Sequence, residues 1–338
     1  MIPIVLAGPT ASGKSALAFL LAEALGGEII NADSCQLYRD FPILSGLPRG
    51  KLCGVPHHLY GVLTYEQQSS AGWWRTQALR VIEEVQKRQR VPLIVGGTGL
   101  YLKVLLEGVR IIPPISEEIR CAVRARFSSL GRERFWQELQ ALDPLATQYL
   151  RSTDSQRLQR AYEVKIATQR SLFAWPVSET EKGLSALVIK MTPCRHDLYA
   201  ACDARFDMFL EHGALDEVSH FLNHISPQDT LKTVKTIGVV ELGAYLTGSC
   251  SLENAIAAAK MRTRRYAKRQ GTWFRHQLRA QYTVDKIVSF ERKRKTGDSP
   301  LFQVVASVGA NISSQKLRLT LQRVLEVPGV NRPSVECH

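Results

Sequence analysis

The segment Gly8-Pro9-Thr10-Ala11-Ser12-Gly13-Lys14-Ser15 fits the pattern GxxxxGK[ST], and it constrains the chain more than any other feature. Before it stands Ile4-Val5-Leu6, a short apolar run of the buried-strand type. After it Ala16 to Leu25 is a strong helix former, stopped by Gly26-Gly27. Strand, glycine-rich turn and helix in that order set backbone N–H groups and a helix N-terminus around one anion. Lys14 then neutralises terminal phosphate oxygens, and the Ser15 hydroxyl stands where a Mg²⁺ ion is held. The loop thus predicts a di- or triphosphate site made by Gly8, Pro9, Thr10, Ala11, Ser12, Gly13, Lys14 and Ser15. It reads phosphate and leaves open which molecule carries it.

The alternation continues. Glu28-Ile29-Ile30-Asn31 reads as a second strand, residues 70–90 as a long helix, and Val91 to Val95 as a buried strand ending in Gly96-Gly97-Thr98-Gly99. Strands alternating with helices imply an α/β fold, a parallel sheet with right-handed crossovers and helices on its faces. From 116 to 170 only helical periodicity remains, at 117–127, 132–142 and 155–168, the last behind a capping Thr153-Asp154. Ala186 to Met191 then returns to a strand, so an inserted all-helical domain is the simplest account. Further helices are expected at 196–212, 214–224, 236–247 and 252–279. The predicted organisation is a core of 1–114 and 184–285, a helical insertion at 115–183, and a basic, flexible tail at 286–338 to which no chemistry is assigned. A length of 338 residues suits two such domains.

Charge points to the partner. Lys and Arg number 44 against 31 acids, a net of +13, which favours an anionic partner, nucleic acid before membrane. Between Asn254 and Val284 there are eight Lys or Arg and no acid, with Arg262, Arg265 and Arg269 on one helical face and Arg264 and Lys268 beside it. Seven scattered cysteines without a CxxC pair argue against a disulfide framework or a cysteine zinc site, and so for a reducing cytoplasm. No apolar run approaches the roughly 18 residues that cross a bilayer, and the N-terminus shows no signal-peptide pattern.

Absences narrow the chemistry. The strand ending at Val95 carries no acid for a metal, and no Asn-Lys-x-Asp guanine reader is present. Asp33, just past the second strand, would open onto the crevice that holds the phosphate loop. Position alone leaves it either a turn aspartate or a general base acting on an acceptor beside the phosphates. On the same footing Thr98 reads as a turn residue and Arg205 as a surface helix arginine. His57-His58 reads as structural, since neighbours on a strand point to opposite sides.

Gly8 to Ser15, Ala32-Asp33-Ser34-Cys35-Gln36-Leu37-Tyr38, Val55-Pro56-His57-His58-Leu59, Gly96-Gly97-Thr98-Gly99-Leu100-Tyr101 and Lys268-Arg269-Gln270-Gly271-Thr272-Trp273-Phe274-Arg275 together resemble the signature series of the bacterial tRNA dimethylallyltransferases. The order and spacing match from about Ile4 to Arg279. The resemblance implies a P-loop NTPase-like sheet and transfer of a dimethylallyl group from dimethylallyl diphosphate to N6 of adenine 37 in tRNAs reading codons that begin with U. It implies Asp33 as the base, with Lys14, Thr98 and Arg205 on the diphosphate. It further implies tRNA contacts from Asp33, Ser34, Cys35, Gln36, Thr98, Arg120, Gln156, Arg157, Leu158, Gln159, Arg160, Lys235, Thr236, Ile237, Gly238, Lys268, Arg269, Gln270, Thr272, Trp273 and Arg275. Mg²⁺ as cofactor, no membrane and a monomeric state complete the expectation.

One stretch departs from the family. Where an Asp-Ile-Gly-Thr-Ala-Lys-Pro-like segment is usual, the chain reads Pro42-Ile43-Leu44-Ser45-Gly46-Leu47-Pro48, so an acid and a cation are missing there, with Arg49 or Lys51 as substitutes. Three other readings compete: prenyl transfer to free adenine nucleotides, a small-molecule kinase, and a non-catalytic RNA-binding protein. The first has no use for the helical insertion and basic C-terminal helix, and the last none for an intact Lys14, Asp33 and Thr98.

Overall fold

The computed structural model describes residues 1–48, 54–110, 112–176, 183–224 and 234–285, together with the backbone of 289–291 and 303–305. These residues form two compact units, one of Met1–Leu106 with Ser185 onward, the other of Glu107–Leu184.

The first unit is built on β1 (Ile4–Ala7), α1 (Lys14–Leu25), β2 (Gly27–Asn31), β3 (His57–His58), α2 (Ala71–Lys87), β4 (Val91–Gly96) and α3 (Gly99–Glu107). Every residue of β1, β2 and β4 is buried, as expected of strands covered on both faces. With β5 (Leu187–Met191) and β6 (Tyr282–Val284) they make a six-stranded sheet in the order β3-β2-β4-β1-β5-β6, parallel at every pairing. Ala7 is level with Gly96 on one side and Lys190 on the other, and Asn31 is level with Val95. The loops after β1, β2 and β4 therefore leave the sheet side by side. Because β4 lies between β1 and β2, the chain leaves β1 toward one edge and later returns to pair β5 on the other side, which is where open α/β sheets form their binding crevice.

The second unit holds α4 (Glu117–Leu142), α5 (Pro144–Tyr149) and α6 (Ser155–Thr168). Gly131, at φ 71° and ψ 174°, breaks α4 into the two helices that the sequence predicts. Phe135, Leu139, Ala146, Leu158 and Ala161 form its core. Periodicity does not reveal α5, a six-residue helix with Pro144 in its first turn and Asp143 capping Ala146 N–H at 3.1 Å. Asp154 does precede α6, but its carboxylate accepts from Arg151 N–H at 3.2 Å instead of capping the helix.

The first unit closes with α7 (Arg195–Glu211), α8 (Ala214–Leu222), α9 (Val239–Leu246) and α10 (Leu252–Gln277). α9 starts three residues later than the periodicity suggests, because Gly238 at φ 102° is non-helical. β6 is too short to leave a periodic signal. β7 (Ser289–Glu291) and β8 (Gln303–Val305) pair antiparallel. Arg49, Lys51 and, apart from the backbone of β7 and β8, the tail expected at 286–338 lie outside the described residues.

Candidate active site

The turn after β1 is shaped by backbone conformation. Ala11 at φ 60° and Gly13 at φ 85° both take left-handed geometry, which turns successive N–H groups inward. Gly13 precedes α1 with no side chain on the first-turn N–H groups, leaving those donors for an anion. A Cβ at Gly8 would meet Met191 Cβ at 2.7 Å, so only glycine fits where the loop crosses β5. Ser12 Oγ is buried without a protein partner among the described residues.

Lys14 folds back to donate to the Pro9 carbonyl at 2.6 Å. Burial lowers its pKa to about 8, opposed by Asp33 and assisted by Arg205. Arg205, on α7, donates to Thr10 Oγ1 at 3.2 Å and to the Ser45 carbonyl at 3.4 Å, and lies 5.0 Å over the Phe209 ring. Burial lowers its pKa too, with Asp33 pushing the other way. Two cations and one carboxylate thus share one poorly hydrated space.

Asp33 is held by an asparagine that the sequence left as a strand residue. Asn31, fully buried, accepts from Asp33 N–H at 2.7 Å and donates to the carbonyls of Asp33 and Leu59 at 3.0 and 2.9 Å. Trp74 donates to the Asn31 carbonyl at 2.8 Å and stacks on Tyr101 with centroids 4.6 Å apart. Asp33 Oδ1 accepts from Cys35 N–H at 3.0 Å. Thr98 joins the same corner: its hydroxyl accepts from Ser34 N–H at 2.9 Å and donates to Ser34 Oγ at 3.2 Å. Cys35 is pushed up to about 12 by burial, so it stays a thiol.

An open cleft has Lys14, Ser15, Asp33 and Arg205 on its polar side and Leu44, Tyr60, Phe206, Phe209 and Tyr266 on its apolar side. Charged groups facing an apolar wall suit a small organic ligand with an anionic end. Among the described residues no group of three His, Cys, Asp or Glu stands ready for a metal. The Ser15 hydroxyl and a single carboxylate form a sparse donor set, which fits an ion held mainly by phosphate oxygens and water.

The departing stretch forms one wall. Glu217 accepts from the N–H groups of Ile43 and Leu44 at 2.6 and 3.0 Å, and Gln36 Nε2 donates to the carbonyls of Ser45 and Gly46 at 3.0 and 2.9 Å. Arg205 also reaches this wall, through the Ser45 carbonyl.

The expected RNA contacts divide by exposure. Lys235, Lys268, Arg269, Thr272 and Arg275 are exposed, and Trp273 is half-buried against Gly99, where a Cβ would run into its ring. Thr236 and Ile237 line the cleft, while Gly238 is buried. In the helical unit Gln156 and Arg157 are exposed, and Arg120, Gln159 and Arg160 partly so. Two further expected contacts are enclosed. Leu158 is wholly enclosed in the core of the helical unit, and Gln270 is 6% exposed with both ends of its amide engaged inside the first unit. Neither side chain has surface to offer to RNA.

The basic face of α10 is also less free than its composition suggests. Arg262 pairs with Glu241 at 2.8 Å, Arg264 with Asp203 at 2.7 Å and Lys260 with Asp207 at 2.6 Å. Sequence reasoning missed Tyr266. Its ring lines the cleft and its hydroxyl lies within hydrogen-bonding reach of Thr98, with burial raising its pKa above the ordinary value. Its spacing of four from Gln270 was the available signal, hidden among the arginines. His57 Nδ1 donates to the Val55 carbonyl, and His58 pairs with the buried Glu28, which also holds Arg88.

The IPP transferase family profile matches residues 36–277. The tRNA dimethylallyltransferase of Paramagnetospirillum magneticum is 44% identical over 85% of this chain and 91% of its own length, and that of a Caulobacter species is 43% identical over 88% and 98%. Among solved structures, the full-length tRNA isopentenylpyrophosphate transferase of Bacillus halodurans superposes with a TM-score of 0.60 at 31% identity, covering 84% of this chain and 89% of that one. A eukaryotic dimethylallyltransferase acting on tRNA superposes with a TM-score of 0.69 at 28% identity, covering 80% and 69%. On sequence and fold alike, the chain belongs to the IPP transferase family.

Proposed function

We propose that this chain transfers a dimethylallyl group from dimethylallyl diphosphate to N6 of adenine 37 in tRNAs reading codons that begin with U. The products are N6-dimethylallyladenosine and diphosphate. The observation that carries the reading is the convergence of Lys14, Arg205 and Asp33 on one cleft whose other wall is apolar, with Thr98 bonded to Ser34 beside it. Diphosphate belongs in the N–H ring of the turn after β1, and a five-carbon group suits the side of Leu44, Phe206 and Phe209.

In the transfer, the bond between the prenyl C1 and the diphosphate oxygen breaks as the N6–C1 bond forms. The N6 proton passes to the Asp33 carboxylate, which the Cys35 N–H holds while Asn31 fixes the Asp33 backbone. The bond electrons leave on the diphosphate, where Lys14, Arg205 and the N–H groups of α1 stabilise the growing charge. Low hydration strengthens each of these interactions. A divalent cation, Mg²⁺ in our reading, would sit on Ser15 and neutralise further charge on the diphosphate oxygens.

The exposed cations of α10 (Lys268, Arg269, Arg275), Lys235, and Arg120, Gln156, Arg157, Gln159 and Arg160 of the helical unit supply backbone contacts to tRNA. Asp33 to Gln36 and Thr98 meet the target nucleotide, and the segment 115–183 serves as a tRNA-contacting insertion. We place the protein in the cytoplasm as a monomer; among the described residues no helix is long and apolar enough to cross a membrane.

The test is an assay of purified protein with radiolabelled dimethylallyl diphosphate and bulk tRNA, AMP or no acceptor. Label in tRNA alone is expected. Label in AMP alone would reassign the acceptor, and no transfer to either would overturn the reading.

A further inference from the structure

α10 has two unlike faces. Arg265, Lys268, Arg269, Thr272 and Arg275 are exposed, whereas Gln270 and Phe274 are buried and Tyr266 turns into the cleft. Gln270 stands out because it is polar, neutral and enclosed. Its Oε1 accepts from Thr10 N–H at 2.8 Å, and its Nε2 donates to the Gly97 carbonyl at 2.8 Å. Thr10 lies in the turn after β1, and its hydroxyl takes the Arg205 guanidinium. Gly97 lies in the turn after β4, next to Thr98. A Cβ at Gly97 would run into the Gln270 amide, so that turn is built for its close approach.

We propose that Gln270 is a positioning residue that locks the phosphate turn to the turn carrying Thr98, and that it makes no contact with tRNA. The inference rests on the prenyl-transfer reading above. One planar group must present an acceptor to the Thr10 N–H and a donor to the Gly97 carbonyl. Glutamine does both, an ionised glutamate sets a second acceptor against the carbonyl, and lysine offers no acceptor. An apolar residue leaves a buried N–H and a buried carbonyl unpaired. Either change lets the leaving-group cradle shift against Thr98, and a displacement of about 1 Å at a reacting centre costs up to about 100-fold in rate.

Full-length wild type, Gln270→Met and Gln270→Glu are compared for kcat, KM for dimethylallyl diphosphate, and tRNA affinity with its salt dependence. Gln270→Met is expected to lose about 10- to 100-fold in kcat, with tRNA affinity and salt slope unchanged. Gln270→Glu is expected to be impaired at about pH 8 and to recover relative to wild type toward about pH 6, because burial raises a carboxyl pKa and the protonated form carries the same donor–acceptor pair. Wild-type kcat in a folded Gln270→Met overturns the proposal, as does a deficit explained wholly by weaker tRNA binding. If Gln270→Met does not fold, Gln270→Glu decides: failure to recover at low pH overturns the proposal. A wild-type enzyme inactive on tRNA removes the functional reading itself, whereas active wild type with unaffected variants removes only this inference.

Discussion

Titrating Lys14 tests the phosphate cradle directly. In the ligand-free protein burial holds its ammonium at about 8, against an ordinary 10.5. A bound diphosphate replaces the lost hydration with anionic oxygens, so in the complex Lys14 is charged throughout this window. Above about pH 8, binding must therefore take up a proton, and affinity falls about tenfold per pH unit. Full restoration of the ordinary value corresponds to about 300-fold in affinity by the upper end of the window, or about 3 kcal/mol. Neighbouring groups do not obscure this, since burial pushes Cys202 up to about 11 and Cys35 up to about 12, and raises Tyr60 and Tyr266 as well. The ligand-free fold obeys the same linkage with its own sign. The folded value lies below the unfolded one, so the unfolded chain holds the extra proton between about 8 and 10.5 and stability rises with pH across that interval. The assay is calorimetric titration of a non-transferring thio analogue of dimethylallyl diphosphate, without tRNA, in wild type and Lys14→Arg. Wild type should show the decline, and the arginine variant, charged throughout, should bind with a flat profile. A flat wild-type profile, or an equal decline in Lys14→Arg, would refute the reasoning.

Asp33→Ala should lose about 10²–10⁴-fold in transfer while tRNA binding survives in a filter or gel-shift measurement; retention of more than about a third of the rate would sink its role as base. Arg269→Ala should reduce the log–log salt slope of tRNA binding by roughly 0.7–0.9, and an unchanged slope removes it from the interface. Leu158→Ala should act through stability instead, costing about 2–5 kcal/mol in denaturant unfolding; a loss of tRNA affinity in the fully folded variant would contradict its burial. Truncation after Lys286 leaves β6 intact and should preserve turnover on saturating tRNA, raising at most the tRNA concentration required. A stable truncated protein that is inactive at saturation would show that the tail completes the site.

The sheet was legible because its strands are short apolar runs between helices of strong periodicity, and the phosphate turn because its pattern fixes residue types at fixed spacing. Asp33 was legible as a position, just past a strand on the crevice side. The environment of Asp33 was not. Asn31 acts through three hydrogen bonds to groups that meet only in the folded chain, and nothing local distinguishes it from any asparagine at a strand end. The burial of Gln270 and Leu158 was equally hidden, because a residue inside a basic or contact-bearing stretch inherits that stretch's role when packing is unknown. Arg262 and Arg264 sit in a run without acids, yet their partners Glu241 and Asp203 come from other helices. Helix periodicity gives the face a residue lies on, and tertiary packing decides what covers that face.

The bridge between Thr10 and Gln270 joins residues 260 positions apart. The ribosome delivers the strand, turn and helix of the phosphate site well before the glutamine that braces them. At about 5–20 residues per second, that interval lasts roughly 13–50 s. During that time the growing chain displays a recognisable phosphate motif without the partner that ties it to Thr98. Functional competence in this protein is thus set by the synthesis of α10 and not by the appearance of the motif. Chains released early would carry the signature while lacking the assembled site.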